Sequence, residues 1–96
     1  MAVLSDRDLL VKVKYGLGIV GDYHDNTLNA YMDEVKAYMA GAGIHETIVN
    51  SDKAAGCIIR GVQDLWNNGE GKLSPYFEMR VVQLANEPAE APAEVP

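Results

Sequence analysis

The sequence predicts an all-α protein: a small bundle of about four helices with an acidic Pro/Ala/Glu tail. Three observations carry that prediction. Apolar residues recur at three- and four-residue steps, the spacing that collects them on one face of a helix. Glycine clusters close the periodic stretches, and Ser or Asp residues open them. The chain has 96 residues, 48% of them hydrophobic, which is enough for one compact core and too little for two.

Residues 1–4 read as an extended lead-in. The first helix opens at Ser5-Asp6-Arg7-Asp8, where Ser5 can cap and Asp6 and Asp8 complement the positive end of the helix dipole. Leu9, Leu10 and Val13 give it an apolar face, and Gly16-Leu17-Gly18 ends it. Leu17 and Ile19 are expected to tuck into the core as the chain turns. A polar loop, Gly21 to Asp25, follows, with Asp25 as the expected cap of the second helix. That helix, residues 26–40, has the cleanest period in the chain: Leu28, Tyr31, Met32, Val35, Tyr38 and Met39. Gly41-Ala42-Gly43 closes it.

Residues 44–50 fit a short strand, a helical turn or a packed loop, anchored by Ile44, Ile48 and Val49. Asn50 or Ser51 then caps the helix around which the chain is organised. Ala55, Ile58, Val62, Leu65 and Trp66 share one of its faces, and the small residues Ala54, Cys57 and Gly61 line the flank. Gly56 and Gly61 each cost up to ~1 kcal/mol against Ala inside a helix, which close helix packing would explain. Asn67-Asn68-Gly69 stops the helix. Ser74 and Pro75 start the last one, residues 75–86, as N-cap and first helical residue. Its inward face is Phe77, Val81 and Leu84. The expected core is Leu9, Leu28, Met32, Val35, Ile58, Val62, Leu65, Trp66, Phe77, Val81 and Leu84.

Tyr76, Met79 and Val82 are surplus to that core-facing stripe. They predict a second contact surface, a subunit interface, to which the glycine-rich loop with Asn67, Asn68, Gly69, Glu70 and Lys72 can contribute. Residues 1–86 thus form the domain. Residues 87–96 alternate Glu, Pro and Ala and are expected to be disordered or polyproline-like.

Chemistry is hard to place on this pattern. The net charge is −6, and half of it comes from Glu87, Glu90 and Glu94, so the body is only mildly acidic. No basic stripe of the kind phosphate binding requires is present. No run approaches the ~18 apolar residues of a membrane span. The opening MAVLSDRD lacks the basic and apolar regions of a secretory leader. A single cysteine, Cys57, rules out an internal disulfide framework and reads as a small core residue.

Gly69 to Ser74 superficially resembles a phosphate loop, but Leu73 stands between Lys72 and Ser74 and no apolar strand precedes it. Asp22, His24 and Asp25 are too few and too well explained as cap and loop to predict a metal site. Asp33 and Glu34 are adjacent, so they diverge on a helix and cannot form a carboxylate dyad. A Cys57–His nucleophile pair is disfavoured because Cys57 lies on a core face. No enzyme, cofactor or metal is expected. A DNA-binding helix-turn-helix should present basic and amide side chains outward. Lys53, Arg60, Gln63 and Asp64 on one helix, and Glu78, Arg80 and Gln83 on the other, are of mixed charge.

The order of these elements resembles the small all-helical head–tail connector proteins of tailed phages and prophages, also called adaptor, head-completion or DNA-packaging proteins. The resemblance rests on Leu17-Gly18-Ile19 after a short helix, and on Asp25, Leu28 and Tyr31 opening a long one. Asp64-Leu65-Trp66-Asn67 then ends an Ala-rich helix, followed by Ser74-Pro75-x-Phe77 and Val82-Gln83-Leu84. It spans about residues 5–84; Gly56, Gly61 and residues 44–50 fall outside the pattern. The resemblance implies a non-enzymatic structural protein that forms a homo-oligomeric ring of about a dozen copies. Such a ring would sit between the portal protein and the stopper or tail protein and extend the DNA channel. DNA would pass through without sequence-specific binding. The implied location is the virion's head–tail junction, with the host cytoplasm during assembly and no membrane partner. A small helical regulator that binds DNA or protein is the alternative expectation.

Overall fold

The computed structural model describes residues 3–69 and 72–86, and among them the protein is all-α. Five helices follow in order: α1 (Asp6–Leu17), α2 (Asp25–Gly41), α3 (Glu46–Val49), α4 (Ala55–Asn68) and α5 (Pro75–Ala85). The expected tail, residues 87–96, lies outside the described residues, as does Glu70. No helix among the described residues is long and apolar enough to cross a membrane.

Local chemistry sets most of the helix ends. The Ser5 hydroxyl accepts from the Asp8 N–H at 3.1 Å and opens α1. Gly18 closes it in the left-handed region, φ 73°, while the Ile19 N–H reaches back to the Lys14 carbonyl. α1 and α2 form an antiparallel hairpin with an ion pair at each end, Lys14–Asp25 at 2.8 Å and Lys36–Asp6 at 2.7 Å. Asp25 therefore does not cap α2. His24 holds the cap position without a side-chain bond, and Asp25 sits in the first turn with its carboxylate committed to Lys14.

Residues 44–50 resolve as a helical turn. The His45 Nδ1 accepts from the Thr47 N–H at 3.1 Å, and Ile44, Ile48 and Val49 are buried. Ser51 then caps a single 3-10 turn, Asp52–Ala54, that feeds α4. Its hydroxyl is buried but donates to the Ile48 carbonyl at 2.8 Å, so burial leaves it satisfied. The lead-in is tied down beside it by a Val3–Ser51 bridge and a Leu4 N–H to Asn50 carbonyl bond of 2.8 Å.

α4 is the central element, in contact with α1, α2 and α5. Ten of the eleven expected core residues are buried; Trp66 is half-buried at the edge of the core. The two glycines of α4 have different roles. A Cβ on Gly61 would stand 2.7 Å from Phe77 and 2.9 Å from both Val35 methyls, so α2 and α5 close on bare backbone there. A Cβ on Gly56 would meet nothing within 4 Å, which removes close packing as the reason for that glycine.

Candidate functional site

α5 is fastened to α4 by one polar latch and one apolar plug. The latch is Asp64, which is buried although its sequence position suggested an outward-facing polar residue. Its Oδ2 accepts from the Ser74 N–H at 3.0 Å and from the Ser74 hydroxyl at 2.7 Å. Its Oδ1 pairs with Arg60 Nε at 3.3 Å. Ser74 in turn accepts from the Phe77 N–H at 3.2 Å and caps α5, with Pro75 in the first turn. The plug is Phe77, seated in the Gly61 notch with its ring 5.5 Å from that of Tyr38. Phe77, Val81 and Leu84 are buried, so the inward face of α5 is fully spent on the core.

The opposite face of α5 carries Tyr76, Met79 and Val82, exposed by 50%, 53% and 59%. At 100° per residue their mean direction lies roughly 170° from that of the buried trio. The Arg60 guanidinium lies 5.0 Å over the Tyr76 ring, and Arg80 is hydrogen-bonded to Gln83 at 2.9 Å on the flank. Asn67 and Asn68 belong to the last turn of α4 instead of the loop, and both are exposed. Gly69 ends α4 with φ 97°, and Lys72 is exposed beyond it. Of the residues expected at an interface, α5 thus places three in one stripe, while Asn67, Asn68, Gly69 and Lys72 surround the α4–α5 turn.

A second apolar surface escaped the sequence reading. α1 and α4 enclose an open groove of about 630 Å³ lined by Val11, Lys12, Tyr15, Gly16, Gly56 and Ile59, with Ala55 at its base. Val11 and Tyr15 stand at its rim, 60% and 91% exposed. Gln63 Nε2 donates to the Gly16 carbonyl at 3.1 Å and fixes α1 against α4. The signal was present in the sequence: Val11 and Tyr15 are an i, i+4 apolar pair off the Leu9/Val13 face of α1.

The two histidines and the cysteine each have a local packing or capping role. His24 packs edge-on between Tyr23 and Trp66, with ring centroids 4.8 and 4.9 Å away. His45 is the cap of α3. Cys57 is buried, and burial pushes its thiol up to about 11, partly offset by the Arg80 charge. Among the described residues no group of three His, Cys, Asp or Glu side chains converges as a metal site would require. Neither His24, His45 nor Cys57 lines the groove.

No family model matches the chain, and no curated protein or solved structure matches it either.

Proposed function

We propose that the protein is a structural subunit of a phage or prophage head–tail connector, a ring between portal and tail that extends the DNA channel. The observation that carries this reading is the α5 stripe. Tyr76, Met79 and Val82 are half-exposed on a helix whose other face already fills the core. A helix in a monomer needs one apolar face; two faces suit an element shared between the core and a neighbour. The ordered motifs that resemble the connectors lie on these same elements: Asp64-Leu65-Trp66-Asn67 ends α4, and Ser74-Pro75-x-Phe77 opens α5. A ring also needs a heterologous interface, with unlike patches on two sides of each subunit. The stripe and the α1/α4 groove are two such patches. The mildly acidic body favours a channel through which DNA slides over one that grips it.

The test begins with the neighbouring genes, where portal and capsid genes are expected. The protein is then mixed with that portal protein and imaged by electron microscopy. A ring seated on the portal is the expected result. A small dimer that binds duplex DNA with a steep salt dependence would replace the connector reading with that of a helical regulator.

A further inference from the structure

We infer that the α1/α4 groove of one copy receives the α5 stripe of a second copy, so that stripe-into-groove is the repeating contact of the ring. The inference rests on the ring reading above and names the surfaces that meet.

The two patches cannot meet within one chain. On α4 the groove residues Ala55, Gly56 and Ile59 and the α5-facing residues Arg60, Gly61 and Asp64 point roughly 140° apart. One copy therefore offers a ridge on one side and a trough on another, and repeated pairing produces a chain of copies that closes if the rotation allows. The shapes fit. Tyr76, Met79 and Val82 stand at i, i+3 and i+6, one of the three-residue ridges that pack into the groove between neighbouring helices. The trough has Gly56 in its lining, where a Cβ would meet nothing within 4 Å, so its bare backbone leaves room for a helix to approach closely.

Charge agrees. Lys12 is the charged residue of the groove and Glu78 flanks the stripe; neither has an ion-pair partner among the described residues. Seating the stripe in the groove brings these opposite charges to the same interface. A symmetric stripe-to-stripe dimer would leave the groove uncovered and Lys12 without Glu78.

Area sets the strength. Three half-exposed apolar side chains present roughly 300 Å². A stable pairwise interface buries about 800 Å² per partner. One contact alone is therefore weak, and the trapping method must capture short-lived encounters. Met79→Cys and Val11→Cys proteins, mixed in equal amounts and mildly oxidised, are the probe; the native Cys57 is buried and stays out of the reaction. The expected product is the mixed Val11→Cys/Met79→Cys heterodimer, several-fold above the sum of the two homodimers. Gly56→Leu in the Val11→Cys partner fills the trough and should return the products to a random distribution. Random products from the start, or a dominant Met79→Cys homodimer, overturn the pairing. The two readings fail separately. A portal-bound ring with random cross-links removes the pairing and keeps the connector. A strong heterodimer from a protein that ignores portal does the reverse.

Discussion

Two glycines only about 7.5 Å of helix rise apart on α4, Gly56 and Gly61, should respond in opposite directions to the same substitution. Gly61→Ala adds a methyl where Phe77 Cε1 would be 2.7 Å away and both Val35 methyls 2.9 Å. Neither neighbour is the loose end of a long side chain; both are buried and held between α2, α4 and α5. Overpacking of this kind costs about 1–3 kcal/mol. The gain in helix propensity returns at most about 1 kcal/mol. The net is a loss of about 1–2 kcal/mol, and for a domain of this size Tm falls by roughly 4–15 °C.

Gly56→Ala meets no atom within 4 Å, so only the propensity gain remains. It should raise stability by about 0.5–1 kcal/mol. Thermal and urea unfolding followed by circular dichroism at the helix band reads both variants. Val35→Ala supplies the internal control, because it makes room for the new methyl. Combined with Gly61→Ala it should cost less than the sum of the two. A Gly61→Ala protein as stable as Gly56→Ala would refute the close approach of the three helices.

Three other outcomes are expected. Asp64→Ala should destabilise by about 1–2 kcal/mol, since it strands two part-buried Ser74 donors; Ser74→Ala and the double variant should be far from additive in a urea-unfolding cycle. Burial lifts the Cys57 thiol from 9.0 to about 11, so below pH 9 both folded and unfolded thiols keep their proton and the full stability remains. Between those two values the unfolded thiol ionises first and stability falls with rising pH; Cys57→Ala should flatten that part of the profile, measured as urea midpoints relative to wild type. Replacing Tyr76, Met79 and Val82 with Ser should shift stability by no more than about 0.5 kcal/mol per substitution and, under the proposed connector function, abolish assembly on the portal; a larger fall in Tm would place these residues in the core.

What the sequence made legible is what neighbouring residues decide. Ser5 and Ser74 cap because each sits three residues from the N–H it accepts; Ser51, expected as a cap of α4, instead caps the 3-10 turn before it, and α4 starts after Ala54 with no side-chain cap bond. Leu28, Met32, Val35 and Met39 are buried because a period of three and four leaves no other face for them. Asp64 was misplaced because its partner Ser74 lies ten residues on, across a turn that no local rule specifies. Asp25 was misplaced for a related reason: its Lys14 partner belongs to another helix, and that ion pair displaced the local capping role. Trp66 follows the helical period but falls at the rim of α4, where its ring meets His24 in place of the core. The α5 stripe was visible as an apolar surplus, whereas the α1/α4 groove is made by two helices and exists in neither alone.

The weakness of a single stripe-into-groove contact bears on how a ring would form. Two free copies joining through roughly 300 Å² gain too little to offset the several kcal/mol of lost translational and rotational freedom. A copy added beside one already held on a portal loses that freedom once, to the portal, and then gains the lateral contact without a second loss. The last copy into a closed ring gains two lateral contacts for the same single loss. Intermediates short of closure are therefore the least stable species per copy, and the assembly should pass from monomer to complete ring with little in between. Sedimentation of the protein titrated onto portal should show empty and full portals side by side at sub-saturating ratios. A smooth series of partly filled portals would mean that the copies bind independently and that no lateral contact operates.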